Sequence, residues 1–369
     1  MANVLDLRRR IRSVKNTRQI TKAMKMVSAS KLRRAQDRTM RARPYAQMLS
    51  NVLESLVRRT DLYNNETGEI IHPLLVEREE KNVLLIVIAG DKGFAGGFNS
   101  NIGKAAQKFI TERTGKGQNG AAAQNIDIEP IGKKAIGFYK KRFPAANYEK
   151  KEEKYDNDLS THYETIRHRA AQIEVASEHL DLLGKVEFNA VSAIANDIID
   201  RYTRSEIDAV YLVYNEFKSV IQQRIVVEKL LPIRKLGSQE ITSFEEMTEE
   251  QRDAAVKAAA TEGISIHESE DKAAEAEAKK FGTADVDYLF DQAPEEIFAH
   301  LMPRYVTTQI FHALLESVAA EHAARMTATD AATKNAGDLI DSLSLTMNRV
   351  RQAAITKEII EIVSGAAAL

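Results

Sequence analysis

Two segments at opposite ends of the chain hold almost nothing that can stop a helix. From Arg304 to Val363 there is no proline and one glycine, Gly337, and across residues 1–60 the one interior breaker is Pro44. Counting alternately in threes and fours from Val4 gives Leu7, Ile11, Val14, Arg18, Thr21, Lys25, Ser28, Leu32, Ala35, Thr39, Ala42, Ala46, Leu49, Leu53 and Leu56, eleven of the sixteen apolar. That spacing predicts a coiled-coil seam with a polar middle. A second seam runs Leu315, Ala319, His322, Met326, Thr329, Thr333, Ala336, Ile340, Leu343, Met347, Val350, Ala354. Its central Ala and Thr residues allow close approach of two helices. Past Ala354 the seam positions become Lys357 and Glu361 while Ile355, Ile359 and Ile362 form a rotated stripe, so the partner helix is expected to have ended there.

In the polar middle of the first helix the apolar residues move to Ile20, Met24 and Val27, roughly on the opposite face. They predict an outward apolar stripe ringed by Lys22, Lys25 and Lys31. Pro44 is expected to kink or divide the helix.

Between the helices the pattern is α/β. Buried strands are predicted at Val83–Ala89, near Ile126–Ile131, at Ala209–Phe217 and at Ile221–Leu230, with helical stretches between them. One helix is expected to start at the capping box Thr161–Glu164 and run towards Gly184, and another to cover about Phe188–Tyr202. Residues 113–125 read as a loop. From Gly237 to Gly282 the composition turns Glu/Ala/Lys-rich, with a capping box at Thr248–Gln251, and reads as an acidic, partly helical insertion. The expected organisation is a first coiled-coil helix at 1–60, a central domain at 80–235, the insertion at 236–290 and a last helix at 294–369.

Size decides how these parts combine. A middle domain of about 150 residues has a radius of gyration near 15 Å, whereas helices of 50–60 residues run about 75–90 Å. Both helices must project. Because the first enters the domain and the last leaves it, close pairing makes them antiparallel. The fold class is therefore α/β, a long antiparallel coiled coil of N- and C-terminal helices plus a central Rossmann-like α/β domain.

The charge is unevenly placed. The formal net charge is -1, yet residues 1–60 carry sixteen Lys/Arg against Asp6, Asp37 and Glu54. Arg8, Arg9, Arg10, Arg12, Lys15 and Arg18 could neutralise nucleic-acid phosphates, meet an acidic protein surface or simply be solvated. The Ile20–Met24–Val27 stripe favours protein, since phosphate binding has no use for an outward apolar patch. With no Cys, disulfides, thiolate metal sites and thiol switches are excluded. The longest membrane-suited apolar run, Val83–Ala89, is far short of a transmembrane helix, and the N-terminus lacks a signal-peptide stretch, so a soluble, cytoplasmic chain is expected.

Catalytic patterns are weak. The turn GDKGFAGGFN, Gly90–Asn99, follows a strand but fits neither phosphate-binding glycine motif, and a structural turn is expected. The histidines show no ligand pair: His162 and His168 are six apart. Glu245-Glu246 and Glu249-Glu250 read as a solvated face. No cofactor is expected, and no nucleophile motif is present.

The stretch IRSVKNTRQITKAMKMVSASKLRRAQ, the turn GDKGFAGGFN and the ending ARMTATDAATKNAGDLIDSLSLTMNRVRQAAITKEIIEIVSGA closely resemble the gamma subunit family of bacterial F-type ATP synthases. The resemblance implies a non-catalytic central stalk. Its coiled coil would stand, in one copy, inside a ring of three alpha and three beta subunits. Its α/β domain would rest beside the epsilon subunit and on the c-ring, at the cytoplasmic face of the bacterial inner membrane. It implies that Met24 and Lys25 face acidic beta-subunit loops, and that Arg351, Gln352, Thr356 and Glu358 hydrogen-bond the catalytic subunits. The tip Ser364–Leu369 would turn in an apolar sleeve. Residues 145–160 depart from the family pattern, and so does the long acidic segment. The segment is expected to lie outside the rod and to modulate rotation or epsilon contact. A basic coiled-coil nucleic-acid binder and a general coiled-coil scaffold are the rival readings.

Overall fold

A computed structural model describes residues 4–59, 72–115, 124–153, 162–220, 223–233, 249–262 and 294–367. The two terminal segments are continuous helices, α1 at Val4–Arg59 and, last in the chain, α6 at Pro294–Ala367. At 1.5 Å per residue, their 56 and 74 residues span about 84 and 111 Å. Proline at the first position of α6 fits a site where the backbone N–H has no helical partner.

Pro44 does not divide α1. It lies on the exposed side of the helix, so its ring meets no packed neighbour and the lost hydrogen bond is taken from the solvent face. Pro303, half-buried, is also carried inside α6, with Thr307 Oγ1 donating to the Pro303 carbonyl at 2.8 Å.

The helices run antiparallel, as the cross-contacts Thr21–Thr333, Lys25–Asp330 and Arg43–Glu316 require. The seam follows the three-four spacing. Leu7, Ile11, Lys25, Ser28, Leu32, Ala35, Thr39, Leu49, Leu53 and Leu56 are buried on α1, and Leu315, Ala319, Met326, Thr329, Ala336 and Ile340 on α6. Thr21 and Thr333 share a hydroxyl hydrogen bond at 2.8 Å across the polar middle. From Arg351 onward the described side chains of α6 are exposed, since α1 as described starts at Val4 and no other described element lies alongside them.

A short turn of 3-10 helix at Pro73–Leu75 leads into the central domain. Its strands are β1 (Asn82–Ile88), β2 (Asn125–Ile131), β5 (Ile173–Val175), β6 (Ala209–Phe217) and β7 (Gln223–Leu231). They form one sheet in the order β5-β2-β1-β6-β7, parallel except for β7, which pairs antiparallel with β6. The sheet is covered by α2 (Phe98–Thr114) and α3 (Lys133–Tyr139) on one side and α4 (Phe188–Thr203) on the other. β1 is apolar without alternation because both its faces are covered. Val83, Leu85 and Val87 face one core, and Leu84, Ile86 and Ile88 the other.

The helix pair serves both cores. Leu49, Leu53 and Leu56 of α1, with Phe298–Leu314 of α6, close the α4 side. Ala29, Leu32 and Ala35, with Ala319–Met326, close the α2 side. The rod and the sheet therefore share their hydrophobic cores.

The helix expected from Thr161 to Gly184 is replaced by strand β4 (His162–His168), which forms an antiparallel hairpin with β3 (Asn147–Glu153), followed by β5. A capping box is a four-residue signal, and here the ladder with the preceding segment outweighs it. The insertion contributes α5 at Glu249–Thr261, which starts within the second capping box, directly after its first residue. It is not held away from the rod: Ala258 and Ala259 are buried in the core that contains Ala319–Met326. The rest of the insertion and residues 116–123 of the expected loop lie outside the described residues.

The packing makes a stability prediction. Leu32→Ala empties a fully buried seam position and is expected to destabilise the chain by about 2–5 kcal/mol. Leu345→Ala removes a side chain that is 63% exposed and is expected to stay within about 0.5 kcal/mol of wild type. Urea denaturation of the purified chains followed by circular dichroism checks both.

Candidate functional site

Two exposed regions of the rod carry side chains that a free helix would not leave in water. The first is the middle of α1, where Ile20 is 60% and Val27 56% exposed. Met24 is half-buried at the edge of this stripe, and Met26, which the spacing did not single out, is 49% exposed. The second is the unpaired end of α6, where Ile355, Ile359, Ile360, Ile362 and Val363 are all about half exposed or more. Arg351, Gln352, Thr356 and Glu358 share this end and are all exposed. Thr356 Oγ1 donates to the Gln352 carbonyl at 3.0 Å, so its proton is committed and its two lone pairs remain available to a partner's donor.

Lys25 does not belong to the outward stripe. It is 6% exposed, and its Nζ lies 2.9 Å from Asp330 Oδ1 and 3.5 Å from Glu262 Oε1. The reason is its register: Lys25 is a seam position, and a charge held between helices requires countercharges on the elements facing it. Asp330 of α6 and Glu262 beside α5 supply them. Burial alone would raise the Asp330 carboxyl, but hydrogen bonds and charge from Lys334 and Lys25 hold it below the usual range. Arg33 also donates to the Glu262 carbonyl, so this end of the insertion is fastened to α1 at two points.

The basic residues Arg8, Arg9, Arg10, Arg12, Lys15 and Arg18 are all exposed on α1. Arg9 has an ion pair with Asp6 at 3.8 Å, a solvent-exposed contact that leaves the positive face essentially intact.

The Gly90–Asn99 turn is built as structure. The Gly90 N–H donates to Asn99 Oδ1 at 2.8 Å, and Arg325 of α6 donates to the carbonyls of Gly93 and Lys92 at 3.2 and 3.3 Å. A Cβ on Gly90 would lie 2.7 Å from the Glu321 carboxyl carbon, and Gly96 has a φ of +56°. Glycine at 90 thus permits close approach to α6, and at 96 it permits the left-handed backbone. Phe94 projects from the turn, 78% exposed.

Among the described residues no group of three or more His, Asp or Glu is placed to hold a metal ion. No described helix is long and apolar enough to cross a membrane.

What this arrangement offers is an asymmetric rod with a basic first helix and apolar stripes, joined through shared cores to a sheet domain. The family model described as ATP synthase matches residues 3–369. The ATP synthase gamma chain of Solibacter usitatus (strain Ellin6076) is 41% identical over 368 residues, covering 100% of this chain and 99% of that one. The chain belongs to the ATP synthase gamma-chain family. The gamma chain of Anaeromyxobacter sp. (strain K) is 37% identical over 369 residues, covering 100% of both. Among solved structures, a chain of the Euglena gracilis mitochondrial ATP synthase (OSCP/F1/c-ring, rotational state 3) matches with a TM-score of 0.50 at 17% identity. That match covers 99% of this chain and 94% of the other and shows a shared fold. The long insertion does not set this gamma chain apart in length, since its bacterial relatives match it end to end.

Titration of buried groups gives the rod a defined acid response. Burial, then the charges of Arg325, Lys31 and Lys92, push His322 down to about 4. Burial and Arg43 push His312 to about 4, while burial pushes neighbouring Glu316 up to about 7 against the pull of Arg43 and the Phe217 N–H. A histidine with a lowered folded pKa binds its proton first in the unfolded state, so it removes stability as pH falls below about 6.5. A carboxyl with a raised pKa does the reverse between about 7 and 4.5. His312 and Glu316 therefore offset each other over most of this window, and His322 contributes to the net slope together with His72, which burial also lowers. His322→Gln, which keeps an acceptor for Arg325, is expected to remove roughly 2 kcal/mol of the stability lost between pH 6.5 and 4.5. Urea midpoints measured across that range check it.

Proposed function

We propose that this chain is the central rotor shaft of an F-type ATP synthase, coupling ion flow through the membrane sector to ATP synthesis and hydrolysis. The coiled coil stands in the alternating ring of three alpha and three beta subunits, and the α/β domain rests against the epsilon subunit and the c-ring. The chain catalyses nothing itself and acts as one copy per complex. It is peripheral, at the cytoplasmic face of the bacterial inner membrane.

The observation that carries this reading is the asymmetry of the rod. Below Val350 it is a pair of helices, and above Arg351 it is a single helix with half-exposed isoleucines on several sides. A surrounding ring of three chemically identical sites would meet a different surface at each site. A shaft that contacts the sites differently shifts their conformational populations as it turns, since only differential contact energy can bias such an equilibrium. The exposed Ile20–Val27 stripe and the apolar end of α6 favour a protein partner over nucleic acid, which would draw on the arginines alone.

Within this reading Ile20, Met24 and Val27 form the ring-facing stripe of α1, and Arg351, Gln352, Thr356 and Glu358 the polar contacts of α6. Lys25 serves the ring indirectly, by holding α1 to α6. The insertion modulates rotation, supported by the contacts of Glu262 with Lys25 and Arg33 on the rod itself.

Two measurements test the proposal. Affinity purification from the native membrane should yield one copy of this chain with alpha and beta subunits. A homodimer, or nucleic acid bound with a steep salt dependence, would overturn the reading. In assembled complexes Gln352→Ala and Met24→Ala should each lower the ratio of ion pumping to ATP hydrolysis by roughly twofold or more, with the melting temperature of the isolated chain unchanged. Wild-type ratios in both would sink the contact assignment.

A further inference from the structure

The helix pair changes sides of the sheet at one level. Leu49–Leu56 and Phe298–Leu314 pack on the α4 side, whereas Ala29–Ala35 and Ala319–Met326 pack on the α2 side. The crossing falls between them, at residues 36–48 of α1 and about 315–318 of α6. It passes the C-terminal end of β6, whose last residue is Phe217.

Three elements are tied together there by polar bonds. Arg43 of α1 donates to Glu316 Oε1 from Nε and Nη2, at 3.3 and 3.1 Å, and Nη2 also donates to the Phe217 carbonyl at 3.0 Å. The other Glu316 oxygen accepts from the Phe217 N–H at 2.8 Å. His312, one turn earlier on α6, places Nε2 3.3 Å from Glu316 Oε1. Arginine, carboxylate and strand end form a closed loop of bonds, with the Glu316 side chain only 1% exposed.

Pro44 follows Arg43 directly. It has no N–H to give the Met40 carbonyl, so α1 lacks one rung of its ladder at the level of the crossing. A helix with a missing rung bends there more easily than elsewhere. Apolar contacts in the two cores resist separation of α1 from the domain, but they are non-directional and hold its angle weakly. Charge-assisted bonds to a planar guanidinium are directional.

We infer that Arg43 is a brace: it ties α1 to Glu316 and Phe217 at the point where Pro44 weakens the helix, so that rotation of the sheet domain turns the shaft without being taken up as bending. The inference rests on the shaft reading above. Arg43 is a positioning residue that acts through the geometry of the rod, and it needs no contact with the catalytic ring.

The test is a rescue experiment in the assembled, membrane-reconstituted complex. Arg43→Gln is expected to lower the ratio of ion pumping to ATP hydrolysis by roughly twofold and to widen the angular fluctuation of a bead on the shaft by a similar factor. Pro44→Ala alone should match wild type. The double variant Arg43→Gln/Pro44→Ala, with the missing rung restored, should recover both readouts even though the ionic bonds stay broken. A merely stabilising role for Arg43 would lower the melting temperature and give no recovery with Pro44→Ala. An unchanged ratio in Arg43→Gln, or failure of the double variant to recover, overturns the brace. If Arg43→Gln does not assemble, Glu316→Gln, which keeps an acceptor for the Phe217 N–H, takes its place with the same expected loss and the same rescue. A wild-type complex that shows no coupling would defeat the shaft reading itself, an outcome distinct from failure of the brace.

Discussion

The close antiparallel packing of α1 against α6 is the constraint from which the other features follow. The two helices are far longer than the sheet domain is wide, so beyond the residues that pack on the sheet they can be stabilised only by each other. In the middle of the seam, at Thr21, Ser28, Thr329, Thr333 and Ala336, the side chains are small. Small residues let the helices approach closely, but they bury little apolar area, and the apolar stabilisation scales with area. Polar bonds take over there: the Thr21–Thr333 hydroxyl pair and the Lys25–Asp330 ion pair lie within about one turn of each other on α1. A slender, specifically registered section of rod results. Its outer face is free to carry Ile20 and Val27 because the inner face has no use for them.

Much of this was legible from the chain alone, for a physical reason. A seam over many heptads is a redundant signal, in which an odd residue such as Arg18 does not obscure the period. The strands Asn82–Ile88 and Ala209–Phe217 were similarly readable, because burial on both faces gives continuous apolar runs. The β3–β4 hairpin was not readable. Neither strand has a clear apolar alternation, and a four-residue capping match is a weak signal beside a ladder of seven residue pairs. Lys25 is subtler: it falls in a seam slot of the first helix, yet lysine is rarely buried without a partner. The partners, Asp330 and Glu262, are more than two hundred residues away in sequence. The Arg43–Glu316–Phe217 junction was invisible for the same reason, since no local pattern marks a bond between elements so distant in the chain.

The sheet domain adds what two helices alone lack, a fixed attachment for the rod. Its cores are completed by residues from the rod, Leu49–Leu56 on one face and Ala319–Met326 on the other. The rod cannot separate from the domain without opening a core, and well-packed cores resist being opened. The Gly90–Asn99 turn adds a second hold, because Arg325 bonds two of its carbonyls and Gly90 lies against Glu321. A motif in the place of a phosphate-binding loop thus serves to lock α6 to the sheet.

The rod is stiff where it is double and becomes more compliant where it is single. Beyond Val350 one helix continues for the last 17 residues of α6, about 25 Å, with no second helix beside it among the described residues. Bending resistance rises steeply with thickness, so a pair held by a seam resists deflection much more than a lone helix does. A lone helix carrying Ile355, Ile359, Ile360, Ile362 and Val363 in water also forgoes the burial that would stabilise it. Both deficits are removed if the end is enclosed, since surrounding walls supply lateral support and bury the isoleucines together. The tip is then the bearing of the shaft and the double section its lever. On the proposed shaft reading, differential contact with a surrounding ring would fall to the asymmetric double section around Ile20–Val27 and to the first polar turns after Val350, and the apolar end would hold the axis.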